Sequence, residues 1–218
     1  MKRITVFCGH YGSGKTNIAV NYAMRQKETG RAVTLADLDI VNPYFRTKDS
    51  REELEERGIR LICSDYANTN LDIPALPSDL YVITDDRTTH AVLDIGGDDR
   101  GAYVLGRIAP KILEENDYEM LLVINRYRPL TPDAPSTLEV MREIEAAGGI
   151  RFTGIVNNSN LGEETDADTV FASVAYAEEV AKLSGLPIVM TAIREELLPA
   201  LDGAIDNLLP MRLQKKII

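Results

Sequence analysis

Hydrophobic positions along this chain follow two alternating rhythms. Short apolar runs with little polar interruption occur at Ile4-Thr5-Val6-Phe7-Cys8, Ala32-Val33-Thr34-Leu35-Ala36, Ala91-Val92-Leu93, Met120–Ile124, Phe152–Val156 and Pro187–Met190. Such runs read as strands covered on both faces, the signature of a parallel sheet. Between them, apolar residues recur three or four apart: Val104, Ile108 and Ile112; Leu138, Met141 and Ile144; Val170, Val174, Ala177 and Ala181. That spacing puts one apolar stripe on a helix. A helix-compatible stretch also runs from Asn17 to about Glu28, and Ser50 with Glu53 forms a capping box for a helix to Arg57 that Gly58 stops. Gly148-Gly149 ends another helix. Leu197, Leu201, Ile205 and Leu208 predict a final helix, which makes Pro187–Met190 the last clear strand. Residues 64–90 are least regular, with one short strand expected at Leu80-Tyr81-Val82-Ile83.

The alternation predicts an α/β fold, a mostly parallel sheet with helices on both faces. No internal repeat and no long linker divides the 218 residues, so a single domain over 1–218 is expected. In such a sheet, ligands bind beyond the carboxyl ends of the strands.

Composition narrows the partners. With 34 acidic and 24 basic side chains the net charge is −10, which argues against general nucleic-acid binding. Cys8 and Cys63 form no C-x-x-C, and Cys8 sits in an apolar run as a small hydrophobe. His10 and His90 are the only histidines, too few for His-based metal sites or Ser-His-Asp catalysis. The N-terminal apolar run is too short for a signal peptide, no segment approaches a membrane span, and the chain reads as cytoplasmic.

The chemistry gathers at strand ends. Gly9-His10-Tyr11-Gly12-Ser13-Gly14-Lys15-Thr16 matches G-x-x-x-x-G-K-[ST] between a strand and a helix. Glycines let successive backbone N–H groups converge on phosphate oxygens at a helix N-terminus that favours anions. Lys15 supplies a cation for the β- and γ-phosphates, and the Thr16 hydroxyl can ligate Mg²⁺. After the second strand, Asp37 and Asp39 can point the same way from extended backbone, one toward a metal's water shell and one toward an attacking water. Asp94 closes a buried strand ahead of Gly96-Gly97, the Walker B pattern with a candidate nucleotide-sensing switch. Asn157 closes a later strand, and its amide matches the donor and acceptor edge of adenine.

These motifs, in this order, make the chain resemble the MinD/ParA/Mrp group of P-loop ATPases in the SIMIBI class. The resemblance implies a P-loop NTPase fold, ATP and Mg²⁺ as ligands, slow hydrolysis and a nucleotide-dependent homodimer that drives a protein partner. It implies Lys15 and Asp39 as the catalytic pair, with Thr16, Asp37 and Asp94 at the metal. Nucleotide contacts would come from Gly9, His10, Tyr11, Gly12, Ser13, Gly14, Lys15, Thr16, Asn17 and Asn157. The group's loop reads K-G-G-x-G-K-[ST], and its first lysine crosses the dimer. Here His10 and Tyr11 take the first two of those positions. His10 is either a stand-in cation at low pH or a plain polar loop residue.

The missing C-x-x-C demotes metal delivery and leaves a role beside a metalloenzyme or corrinoid protein open. In Asn42-Pro43-Tyr44-Phe45-Arg46 the aromatics are expected to pin the loop rather than anchor a partner. Arg126 and Arg128 read as solvated, with a dimer mate, a phosphate or an acidic partner as alternatives. The tail Met211–Ile218 is too short and weakly patterned for a membrane anchor. Two other functions fit the same motifs. One is an ATP-dependent ligase of the dethiobiotin synthetase or cobyrinic acid amide synthase type. The other is a nucleotide-dependent binding module with negligible turnover. No [NT]-K-x-D guanine motif is visible, which favours ATP over GTP.

Overall fold

Eight strands and seven helices alternate along the chain in a computed structural model that describes residues 2–38, 51–63 and 81–213. The strands are β1 (Ile4–Gly9), β2 (Val33–Asp37), β3 (Arg60–Cys63), β4 (His90–Gly96), β5 (Tyr118–Ile124), β6 (Gly154–Asn157), β7 (Ile188–Arg194) and β8 (Leu208–Met211). They form one sheet in the order β3-β2-β4-β1-β5-β6-β7-β8, and every pairing is parallel. The helices are α1 (Lys15–Glu28), α2 (Arg51–Glu56), α3 (Val82–Asp85), α4 (Asp99–Glu115), α5 (Ala134–Gly148), α6 (Ala167–Ser184) and α7 (Leu198–Leu201). The expected α/β architecture is therefore present.

Side-chain alternation divides the sheet into two packed faces. Ile4, Val6, Cys8, Leu93, Leu122, Ile124 and Ile155 meet α4, α5 and α6 through Ile108, Ile112, Leu138, Met141, Ile144, Ala177 and Val180. Phe7, Leu35, Val92, Val123 and Val156 turn the other way, onto Ile18, Ala19, Tyr22 and Ala23 of α1 and Leu54 of α2. Cys8 is fully buried, as expected. The caps are local: the carboxylates of Asp98, Asp133 and Asp166 accept backbone N–H groups at the starts of α4, α5 and α6.

Several boundaries differ from the pattern reading. The predicted final helix lasts one turn. Gly203 and Asn207 take left-handed φ values of 76° and 55°, and Pro210 lacks the N–H a helix needs, so the chain reverses into β8. Pro210 is tolerated because β8 is an edge strand. The side chain of Asn21 on α1 clips the Arg212 backbone in both directions, at 3.0 and 2.9 Å. The expected strand at Leu80–Ile83 is instead helical from Val82, with Asp86 N donating to Val82 O at 2.8 Å. A short apolar run cannot distinguish the two. Strand β3 carries no alternation that marks it in sequence. Strand β4 runs two residues past Asp94, because Ile95 and Gly96 pair with Cys8 and Gly9. The Ser50 cap, residues 64–80 and the tail beyond Leu213 lie outside the described residues.

A polar cluster sits beneath α1. The Thr5 and Tyr22 hydroxyls donate to one Glu119 oxygen at 2.8 and 3.1 Å, and His90 Nε2 lies 3.5 Å from Thr5 Oγ1. Burial pushes the Tyr22 phenol up to about 12. Burial, with Arg31 and Arg3 nearby, pushes the His90 imidazole from 6.5 down to about 4. Between these two values the unfolded chain binds a proton that the folded chain refuses. Stability is therefore expected to fall as pH drops from 6.5 toward 4, and that contribution to level off below 4. Urea midpoints at pH 7 and pH 5 should show this loss, and His90→Gln should reduce it.

Candidate functional site

The carboxyl end of β1 lies between two diverging connections. One leads from β1 to β2, and the other crosses from β4 past β1 to β5. There the chain from His10 to Gly14 folds back on itself, with Ser13 N donating to His10 O at 3.1 Å. Gly12 and Gly14 hold φ values of 76° and 89°, which side chains resist. A Cβ on Gly14 would overlap the Asn158 amide nitrogen, and one on Gly9 would strike the Val123 carbonyl. Gly14 precedes α1 with no side-chain cap and no acidic residue in the first turn. The α1 terminus therefore presents its backbone N–H groups and positive dipole end to the loop. Lys15 is buried, and its ammonium reaches back to His10 O at 3.4 Å.

Period-two alternation sets the carboxylates. Leu35 and Val92 face α1, so Asp37 and Asp94, two residues further on neighbouring strands, extend the same stripe. Their Cα positions pair in register, and both side chains are buried. The Thr16 hydroxyl on the first turn of α1 donates to Asp94 Oδ2 at 2.6 Å. A hydroxyl beside a buried carboxylate is a donor set that suits a phosphate-bound Mg²⁺. Gly97 lies against the Gly9-His10 peptide, where any Cβ would collide with backbone.

The same parity separates two adjacent asparagines. Ile155 faces α6, so Asn157 does too, and its amide donates to Ser173 Oγ at 2.9 Å while its oxygen accepts Ser159 N at 3.2 Å. Val156 faces α1, so Asn158 turns to the loop and donates to Ser13 O at 2.6 Å. Asn157, expected at an adenine edge, is thus engaged inside the fold, and Asn158 is the residue that holds the loop. Counting by twos from Val156 would have found it. Ser13 Oγ and Asn158 Oδ1 are buried beside the loop with no hydrogen-bond partner among the described residues.

The remaining expected residues spread more widely. His10 Nδ1 lies 2.9 Å from Tyr11 O, and Tyr11 is exposed at the loop tip. Asn17 is half-buried on α1, its carbonyl accepting Asn21 Nδ2 at 2.8 Å. Asp39 and Asn42–Arg46 lie outside the described residues, as does the Cys63 side chain. The expected solvation of the two arginines is corrected. Arg126 donates to Ala172 O and lies over the rings of Tyr127 and Tyr176, at 5.7 and 6.0 Å. Arg128 lies against Gly12 of the loop. Among the described residues no helix is long and apolar enough to cross a membrane.

No protein-family model matches the chain, and no curated protein matches it. Solved structures do. FtsY from Mycoplasma mycoides has a TM-score of 0.52 at 17% identity, over 88% of this chain and 61% of its own. Cell division protein ftsY from Thermotoga maritima has 0.55 at 18%, over 87% and 61%. The signal recognition particle 54 kDa protein from Aeropyrum pernix K1, in complex with GDP, has 0.52 at 18%, over 85% and 40%. The fold is that of the P-loop NTPases. This chain spans about three-fifths of the length of the two FtsY structures and two-fifths of the third, and at these identities the likeness is one of fold alone.

The loop's geometry depends on Gly14. Gly14→Ala forces a side chain into left-handed backbone and against Asn158, so it should lower the unfolding free energy by about 1 kcal/mol or more, read from urea denaturation.

Proposed function

We propose that the chain is a Mg²⁺-dependent nucleoside triphosphatase with slow turnover, selective for ATP, that acts as a switch on a protein partner. The observation that carries this reading is the Thr16–Asp94 hydrogen bond at the foot of the glycine loop. The loop also fits a polyphosphate on physical grounds. Its glycines leave a cradle that a Cβ would fill, and Ser13 Oγ and Asn158 Oδ1 are orphaned beside it.

Thr16 and Asp94 would hold the metal, with Asp37 in its outer shell. Bound Mg²⁺ would neutralise charge on the β- and γ-phosphate oxygens. Lys15 and the backbone N–H groups would grip the same phosphates from the α1 side. Asp39 would orient the attacking water. Gly97, packed on the Gly9-His10 peptide, would couple the start of α4 to what the loop holds. We further assign the chain to the MinD/ParA/Mrp group, with a nucleotide-dependent homodimer as its working form. His10 and Tyr11 in place of the group's lysine and glycine mean that the cross-dimer contact takes another form here.

Adenine is favoured because the stretch from the last residue of β6 reads Asn157-Asn158-Ser159-Asn160 and holds no [NT]-K-x-D. Guanine is the second reading, favoured by GDP in the Aeropyrum pernix structure. Calorimetric titration with ATP and GTP in Mg²⁺ decides between them.

Lys15→Ala should abolish nucleotide binding in that titration; retained affinity refutes the site. Asp39→Ala should bind ATP as the parent does, lose phosphate release, and shift to a dimer on sizing with Mg-ATP. An equally active variant removes Asp39 from the chemistry.

A further inference from the structure

The turn after β5 brings a second cation to the glycine loop. It is built rigidly. Asn125 is fully buried; its carbonyl accepts Arg128 N at 3.2 Å and Thr131 Oγ1 at 2.8 Å, and its side-chain oxygen accepts Tyr127 N at 3.0 Å. Thr131 N then donates to Arg128 O at 3.1 Å. The two arginines of this turn are used in different ways. Arg126 is committed to α6 through the Ala172 carbonyl and the Tyr176 ring. Arg128 lies across the midpoint of the loop. A Cβ built on Gly12 would sit 3.4 Å from Arg128 Nε, 3.6 Å from Cδ and 3.8 Å from Cζ.

Among the described residues nothing answers the charge of Arg128. Its Nε is buried with no hydrogen-bond partner, and its guanidinium enters no ion pair among the described residues. The loop it lies against also holds the Lys15 ammonium, at His10 O, and leads into the uncapped N-terminus of α1, both of the same sign. A half-buried guanidinium held in a positive field is costly unless an anion completes it. The site thus has the form of a receptor whose counter-charge comes from the ligand. A guanidinium presents a planar fork of donors that matches two phosphate oxygens at once.

We propose that Arg128 is a phosphate-contacting residue, a cation supplied by the chain itself that closes on the polyphosphate of the bound nucleotide from the Gly12 side of the loop. The proposal rests on the nucleotide reading above and adds a specific ligand group to it. Lys15 grips from the α1 side, and Arg128 grips from the β5 side. One chain then provides both cations, and phosphate binding needs no side chain from a second copy. The turn that carries Arg128 is tied through Asn125 and Ser159 to the end of β6, since Ser159 Oγ accepts Arg126 N at 3.1 Å.

The test is calorimetric titration of the full chain with ATP and with ADP in Mg²⁺, for the parent and for Arg128→Gln and Arg128→Lys. The glutamine variant should bind ATP about 10- to 100-fold more weakly, the usual size of a lost charged hydrogen bond to a ligand. Lysine should restore part of that loss, because it keeps the charge and loses the fork. The melting temperature without nucleotide should not fall below the parent's value, since the Arg128 side chain makes no hydrogen bond or ion pair among the described residues. Arg128→Met, which keeps the apolar stem, repeats the comparison if the glutamine variant melts early. A neutral variant that binds ATP as tightly as the parent overturns the role of Arg128 and leaves the nucleotide reading standing. A parent protein that binds neither ATP nor ADP overturns both.

Discussion

One hydrogen bond, from Thr16 on α1 to Asp94 on β4, joins the two halves of the candidate site across β1. It forms because three elements agree. The Lys15-Thr16 pair must begin a helix, so the loop before it must curl through left-handed backbone, which only Gly12 and Gly14 supply at low cost. Asp94 must fall on the α1 face, so β4 must keep the parity set by Val92. And β1 must lie between β4 and β5, which the crossover from β4 to β5 ensures. Slip β4 by one residue and the carboxylate turns to the opposite face of the sheet, toward α4.

That dependence on parity explains which parts of the site were legible in the sequence. The loop was legible because its meaning lies in a local pattern. Thr16, Lys15 and Asp94 could be named from strand–loop–helix context alone. The asparagines could not. Asn157 and Asn158 are adjacent and identical in type, and their roles differ only through the side of the sheet each faces. A strand boundary read two residues early, Phe152–Val156 against the observed Gly154–Asn157, blurs that choice. Arg128 reads as solvated in the sequence, with a phosphate among the alternatives, and its place beside the loop was hidden for another reason. It reaches Gly12 across more than a hundred residues of chain, through a turn whose shape is set by the buried Asn125.

The same contrast holds for the fold. Strands buried on both faces and helices with clear stripes were legible, because burial on a doubly covered sheet leaves few polar positions. The C-terminal region was not. Leu197, Leu201, Ile205 and Leu208 keep a helical period, and Leu201 and Ile205 do pack together beside Ile193. The period survives while the helix does not, because Gly203 and Asn207 reverse the chain between them. Leu209 and Met211 then alternate into the α1 side of the core as a strand would. Tertiary packing reused an apolar spacing that local pattern assigned to a helix.

Charge distribution completes the physical picture. A chain of net charge −10 repels polyanions at long range, at a distance where the whole surface acts. Within a few ångströms of Gly12 the balance is reversed. The α1 terminus, Lys15 and Arg128 belong to or lie against this loop, and the buried carboxylates Asp37 and Asp94 are paired on neighbouring strands, with Asp94 on the Thr16 hydroxyl. For the ligand proposed above, a bare nucleotide would enter such a site poorly, while one already carrying Mg²⁺ would meet a half suited to the cation and a half suited to the anion. The segregation of charge within one loop and two strand ends therefore favours the metal complex as the species recognised. It also makes the acidic bulk of the chain compatible with the proposed phosphate binding at one point.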